Sequence, residues 1–268
     1  MNRLSRIRAS GFKSIRDLDL QLGNLTVLIG ANGAGKSNLA SLFLMLNHAM
    51  SGNLRNFIAT GGRAKSFLHR GPKVTQQITV DLEYESEQGT NLYHARLGFA
   101  AQDTLIFNDE AVAFRRTQQV GPDALRSLGA GHAESVLKAA GEAGDDTARL
   151  AYSSLNRWRF YQFHDTSATS GMRATHYIHD NRYLRSDAGN LAAYLHLLRE
   201  MEPRHYAVIV DTIRLAAPFF DDFELGPLEL NTERVVLGWR ERESGHRFGP
   251  HQLSDGTLRF IALCTLLL

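Results

Sequence analysis

A chain of 268 residues, 43% hydrophobic and 22% charged, has apolar material for one large core or two lobes, which excludes intrinsic disorder. Its net charge of +2 does not mark a dedicated nucleic-acid binder, although a local basic patch can hide in such an average. One cysteine, Cys264, excludes an internal disulfide and fits a reducing cytoplasm; the longest apolar stretch, Phe260 to Leu268, is far shorter than the roughly 20 residues of a membrane helix, and the basic N-terminus has no apolar core behind it to make a secretory signal.

Leu25, Val27, Leu28 and Ile29 form a short apolar, partly β-branched run bounded by glycine, and a buried strand is expected there. It leads into Gly30-Ala31-Asn32-Gly33-Ala34-Gly35-Lys36-Ser37, which fits G-x-x-x-x-G-K-[ST] at every fixed position. Glycines let such a loop curl so that its amides face a polyphosphate, and the following helix adds its positive N-terminal end. Lys36 is placed to reach the β- and γ-phosphates and Ser37 to put its hydroxyl on Mg²⁺. Leu39, Leu42, Phe43 and Leu46 then recur at helical spacing. The pattern marks a nucleotide site with Mg²⁺, and leaves open which class of P-loop protein uses it.

The stretch from Ile7 to Leu39, with Phe12-Lys13-Ser14 ahead of the loop and Asn32 and Asn38 within and after it, resembles the opening of ABC-type ATPases of the SMC and RecF group. That resemblance implies an α/β fold: a P-loop ABC-type core carrying an antiparallel β subdomain and a helical lobe. It also implies one domain over residues 1–268, incomplete at its C-terminus. Within it, 1–50 would be the Walker A core, 51–120 the antiparallel subdomain, 121–222 an insertion and helical lobe, and 223–268 strands followed by a signature helix.

Ile78, Val80, Leu82 and Tyr84 alternate with polar residues, and two further runs follow up to residue 116, so a meander is expected. Asp109-Glu110, after Leu105, Ile106 and Phe107, mimics a Walker B ending but precedes the signature and follows Asn108; it is assigned to a turn. Residues 121–148 are rich in glycine and alanine and read as an exposed insertion, with a short helix around Ala133 to Ala140. No heptad run supports a coiled coil.

Trp158, Phe160, Tyr161 and Phe163 interleave with Arg157 and Arg159, a pattern open to base stacking but more often a half-buried packing segment. Segments 161–167 and 180–195 look like a family of bacterial ATPases with an AAA-type or ABC-type core. By that resemblance Gln162 is the Q-loop glutamine, on Mg²⁺ and the attacking water. His164-Asp165 and His176, His179 and Asp180 have no second cluster to complete a metal site. Residues 189–201 read as a helix with Leu191, Tyr194, Leu195, Leu198 and Met201 on one face. A second helix opens at Pro203 and carries Tyr206, Ile209, Val210, Ile213 and Leu215. Residues 223–240 return to strand character.

Leu253-Ser254-Asp255-Gly256-Thr257 resembles the ABC signature in its LSDGT form. Ser254 is a good N-cap, and Leu258, Ile261, Ala262, Thr265 and Leu268 have helical periodicity, so free amides and a helix dipole face outward at Ser254, Asp255 and Gly256. The resemblance implies that this end meets the γ-phosphate held by a second copy, giving an ATP-sandwiched homodimer. It further implies ATP hydrolysis in DNA repair, DNA maintenance or phage defence, with DNA as cargo and a nuclease as partner. A Walker B strand and switch histidine are expected beyond Leu268. Two other readings stay open: an ATP-binding regulatory module that does not hydrolyse, and another P-loop phosphotransferase. Arg3, Arg6, Arg8, Lys13 and Arg16 form one basic stretch, and Arg63, Lys65, Arg70 and Lys73 another, each read first as solvated surface.

Overall fold

The computed structural model describes residues 3–117 and 124–268. The chain divides into two compact units, one up to Trp158 and one from Arg159. Both are mixtures of helix and strand, and every strand pairing in them is antiparallel. No helix among the described residues is long and apolar enough to cross a membrane.

The first unit is built on a six-stranded sheet. Its strands are β1 (Arg3–Phe12), β2 (Ile15–Gln21), β3 (Gln77–Ser86), β4 (Gly89–Ala100), β5 (Thr104–Arg116) and β6 (Arg126–Gly129), in the spatial order β2-β1-β3-β4-β5-β6. Period-two patterning gives this sheet two unlike faces. Ile78, Val80, Leu82 and Tyr84 of β3 lie opposite Leu97, Ala95, Tyr93 and Asn91 of β4 and are buried, so the expected meander is present. Asp81, Glu83, His94 and Arg96 take the other face, where Arg8 pairs with Glu83 at 2.8 Å and His94 with Asp81 at 2.7 Å. On the apolar face lie residues of α1 (Lys36–Met50), α2 (Leu54–Thr60), α3 (Leu137–Glu142) and α4 (Asp146–Asn156), which share its core.

Asp109 and Glu110 are not in a turn. They stand in the middle of β5, where a bulge at Asn108 shifts the register, so that Phe107 opposes Leu97 but Asp109 opposes Arg96 and Glu110 opposes Ala95. The extra residue turns Asp109 to the charged face and Glu110 to the apolar one. A fully buried carboxylate is tolerable only if its lone pairs are filled. Glu110 accepts from Tyr93 Oη at 2.8 Å, Ser135 Oγ at 2.6 Å, the Val136 amide at 2.9 Å and His132 Nε2 at 3.0 Å. The burial and this carboxylate push the Tyr93 hydroxyl pKa well up.

Those contacts explain the region read as an exposed insertion. Its first residues, 121–123, lie outside the described ones. The rest is anchored to the sheet by Glu110 and to α2 by Glu134, whose carboxylate accepts the amides of Leu54 and Arg55 at 2.8 and 2.9 Å. Helix α2 has no capping side chain of its own, so the insertion supplies one from a distance. The short helix falls at Leu137–Glu142, slightly later than expected.

The second unit holds α5 (Leu191–Met201), α6 (Pro203–Ala216) and α7 (Asp255–Leu267). Three strands, β8 (Phe220–Glu224), β10 (Gly238–Glu241) and β11 (Arg247–Phe248), form one sheet; β7 (His176–Tyr177) and β9 (Arg234–Val235) form another. Both expected helices are present, with Asn190 buried at the start of α5 and Pro203 at the first position of α6. Their far ends differ from the periodicity: Met201 and Leu215 are exposed because each lies in the last turn, past the packed face. Residues 157–169 form no regular element. Phe163 is buried, and Trp158 meets Phe43 of α1 edge-on at 4.9 Å, so these rings pack rather than line up on a free strand.

Glu110→Ala is expected to lower stability by about 3 kcal/mol, because four donors lose their acceptor in a dry site. Urea denaturation followed by circular dichroism checks this; a loss below about 1 kcal/mol would contradict the anchoring role.

Candidate nucleotide site

The P-loop is assembled on a β turn. Between β1 and β2 the chain reverses through Lys13 in the left-handed region, φ 46°. Lys13 is held there by its amide on the Phe67 carbonyl at 2.8 Å and by His69 Nδ1, which donates to the Lys13 carbonyl at 2.7 Å. Its ammonium lies 5.0 Å from the Phe67 ring and donates to Ser41 Oγ of α1 at 2.7 Å; burial lowers its pKa. Beside it Ser14 Oγ accepts from Asn38 Nδ2 at 2.7 Å, and a Cβ on Gly35 would meet the same oxygen at 3.0 Å. Phe12-Lys13-Ser14 therefore fixes both the loop and the first turns of α1.

The loop has the backbone its glycines suggest. Gly33 and Gly35 have φ of 85° and 95°, a region costly for side-chain-bearing residues. Ala34 donates to the Ala31 carbonyl at 3.2 Å, and Asn38 and Leu39 donate to Gly35 at 2.9 and 3.1 Å. Among the described residues the amides of Asn32, Gly33, Gly35, Lys36 and Ser37 find no acceptor in the chain. Orphan donors of this kind, at a glycine-rich loop and a helix N-terminus, fit an anion. Lys36 Nζ folds over the loop onto the carbonyls of Gly30 and Ala31, at 2.6 and 2.8 Å, and the exposed Ser37 hydroxyl makes no bond within the chain. Lys36, Ser37 and the free amides are chemically suited to a nucleotide polyphosphate with its cation.

The preceding run is not a strand. Leu25, Val27, Leu28 and Ile29 lie in coil and are 80%, 69%, 46% and 92% exposed. Their composition suits a strand, but no described segment pairs with them, and a strand exists only with a neighbour.

Helix α7 carries the second feature. Ser254 Oγ accepts the Thr257 amide at 3.1 Å, and the Leu258 amide goes to the Ser254 carbonyl at 2.9 Å. Leu258, Ile261, Ala262, Cys264 and Thr265 are buried, so the helix is set in its unit by its apolar face, and burial raises the pKa of the Cys264 thiol. Asp255 and Gly256 keep free amides, and a Cβ on Gly256 would meet nothing nearer than Ser254 Oγ at 3.9 Å. Glycine there adds nothing to the helix over alanine. Nothing in its own unit requires it.

The loop residues Gly30 to Asn38 belong to the first unit; Ser254, Asp255, Gly256 and Gln162 belong to the second. Gln162 lies in exposed coil, attached by its amide to the Ser186 carbonyl at 2.7 Å, and its side chain makes no bond within the chain. No group of His, Cys, Asp and Glu that could hold a metal ion occurs among the described residues. Arg173 carries no motif in the sequence, yet it is buried and contacts both Leu253 and Asp255. Only its contacts across the fold reveal it.

The family described as "AAA domain, putative AbiEii toxin, Type IV TA system" matches residues 25–268. A comparison with curated proteins finds no match. The matched span takes in the P-loop, α1, strands β3 to β6 of the sheet and α7, and covers most of the chain. AAA domains are P-loop nucleotide-binding domains of the ATPase class, in keeping with Gly30 to Ser37. The chain belongs to this AAA-domain family.

Proposed function

We propose that this protein binds and hydrolyses ATP in the manner of SMC- and RecF-like ABC ATPases, by closing two copies around the nucleotide. One copy's Gly30–Asn38 would hold the phosphates, with Lys36 on the β- and γ-phosphates and Ser37 on Mg²⁺, and Gln162 would serve as the Q-loop glutamine. The partner would present Ser254, Asp255 and Gly256 to the γ-phosphate. The observation that carries the reading is the pair of exposed amide sets, one at the P-loop and one at the start of α7, each left without an acceptor. Two half-sites that are both unsatisfied suit a ligand shared between chains. Hydrolysis also needs a carboxylate beside the attacking water. Glu110, saturated by four donors inside the sheet, is not that group.

We place the activity in the cytoplasm, in DNA repair, DNA maintenance or phage defence, with a nuclease as partner and DNA as cargo. One feature of the charge distribution supports DNA. No Asp or Glu occurs from Leu20 to Val80. Arg55, Arg63, Lys65, Arg70 and Lys73 are exposed; Lys65 lies 3.8 Å from Asp103, and the others meet no carboxylate among the described residues. Arg55 and Arg63 line one cavity of about 380 Å³, and Lys73 another of about 590 Å³ together with Gln76, Gln77 and Phe99. The N-terminal basic stretch is different, since Arg3, Arg6 and Arg8 each pair with a carboxylate. Unpaired cations are the ones free to displace counterions from a phosphate backbone.

Lys36→Ala is expected to abolish ATP binding, read by isothermal titration. Ser254→Arg is expected to block ATP-dependent dimerisation, read by light scattering, while the single chain still titrates with ATP. Unchanged dimerisation would rule out the shared site. Duplex DNA affinity should fall by about a hundredfold between about 50 and 200 mM salt. Replacing Arg55, Arg63, Arg70 and Lys73 by Gln should flatten that dependence; a slope that stays the same would remove this surface from DNA binding.

A further inference from the structure

An acidic residue at the first position of α7 poses an electrostatic difficulty. Asp255 stabilises its own helix through the dipole, but its carboxylate sits beside the amides that the proposed function assigns to a γ-phosphate. Like charges this close in a partly dry contact repel strongly. Resting on that reading of α7, we propose that Arg173 is a positioning residue that neutralises Asp255 and fixes the Leu253–Ser254 turn, so that the helix end can accept a polyphosphate.

The geometry of Arg173 fits this role and no more direct one. It belongs to a short turn, Gly171–Arg173, capped by Ser170, whose hydroxyl accepts the Met172 amide at 3.3 Å and donates to the Asp165 carbonyl at 2.7 Å. Its side chain is 6% exposed, whereas that of Asp255 is 65% exposed. Nε donates to the Thr166 carbonyl at 3.0 Å, and Nη1 donates to the carbonyls of Pro250 and Leu253. Nη2 donates to Leu253 at 3.2 Å and to Asp255 Oδ1 at 2.9 Å. All three nitrogens are engaged inside the unit, so the guanidinium is committed to the turn and is not a finger for a phosphate. A planar fork is needed to reach the carbonyls of Thr166, Pro250 and Leu253 and the carboxylate together; a lysine ammonium has neither the shape nor the donors. Arg259, one turn along α7, donates to the His164 carbonyl at 3.0 Å and Thr166 Oγ1 at 3.3 Å, so segment 164–173 grips the helix at two levels.

Three effects are thereby joined in one residue. The carboxylate is paired and held at the guanidinium. The carbonyl of Leu253, just before the N-cap, is satisfied away from the free amides. The positive charge adds to the potential at the helix N-terminus, where a polyanion would arrive.

The test measures ATP-dependent dimerisation by light scattering and melting by circular dichroism, with Ser254→Arg as control. In Arg173→Gln, dimerisation is expected to weaken about tenfold or more, because Asp255 is then uncompensated. Adding Asp255→Asn should recover most of that loss. A brace acting only through backbone carbonyls would not be rescued in this way. If Arg173→Gln dimerises normally, or the double variant is not recovered, the proposal fails, while a Ser254→Arg control that no longer dimerises leaves the shared-site reading standing. If Arg173→Gln does not fold, Asp255→Asn alone decides: about threefold tighter dimerisation at low salt, lost as salt rises, is expected, and unchanged or weaker dimerisation overturns the proposal. A Ser254→Arg variant that dimerises like the parent chain overturns both readings.

Discussion

Backbone amides without an acceptor are costly when buried and cheap when wet. Both features that set this protein apart respect that constraint. At Gly30–Ser37 and at Ser254–Gly256 the chain turns abruptly into a helix and leaves the first amides outward, where water can satisfy them. Everything around these points restrains the turn without covering it. In the first unit Lys13, Ser14 and His69 lock the β1–β2 reversal against α1. In the second, Ser254 caps and Arg173 braces. Rigid support behind an open donor set is what preorganisation means for a phosphate site.

The two supports differ in cost. Lys13 is half-buried against aromatic rings, with its charge spent on Phe67 and Ser41, so desolvation works against it. A glutamine could make the hydrogen bond but would lose the ring contact. Arg173 is more deeply buried and satisfies its charge with one carboxylate and several carbonyls. Buried cations are unusual unless they are paired and hydrogen-bonded in this way. Its burial in such a place follows if the turn it braces has to stay open.

Local pattern carried much of this architecture. The P-loop, the helix after it, the β3–β5 meander, α5, α6 and the capped α7 all follow from short-range periodicity, glycine and capping chemistry. What was not legible depends on partners distant in sequence. Leu25 to Ile29 has strand composition, but pairing is a property of two segments, and no described segment lies alongside. Asp109-Glu110 reads as the end of an apolar run, and only a bulge at Asn108, invisible without β4, turns one carboxylate inward and the other out. Glu134 capping α2 and Arg173 reaching Leu253 are likewise contacts across many residues, made by side chains that no spacing rule singles out.

Asp255 shows how such distant contacts bear on reading a motif. Taken as a string, a carboxylate in a phosphate-facing turn argues against the assignment, because it brings negative charge to a place meant to receive more. Its surroundings reverse that sign. With Arg173 at 2.9 Å, the local charge is balanced, and the carboxylate also serves as a helix-favourable first-turn acid. The residue type at one motif position therefore cannot be judged without the residue that compensates it, and that residue lies in another part of the chain. Variation at the third position of this motif is then expected to be coupled to the presence of a buried cation behind the turn, since either change alone leaves an unbalanced charge where the proposed function brings two polyanion-binding surfaces together.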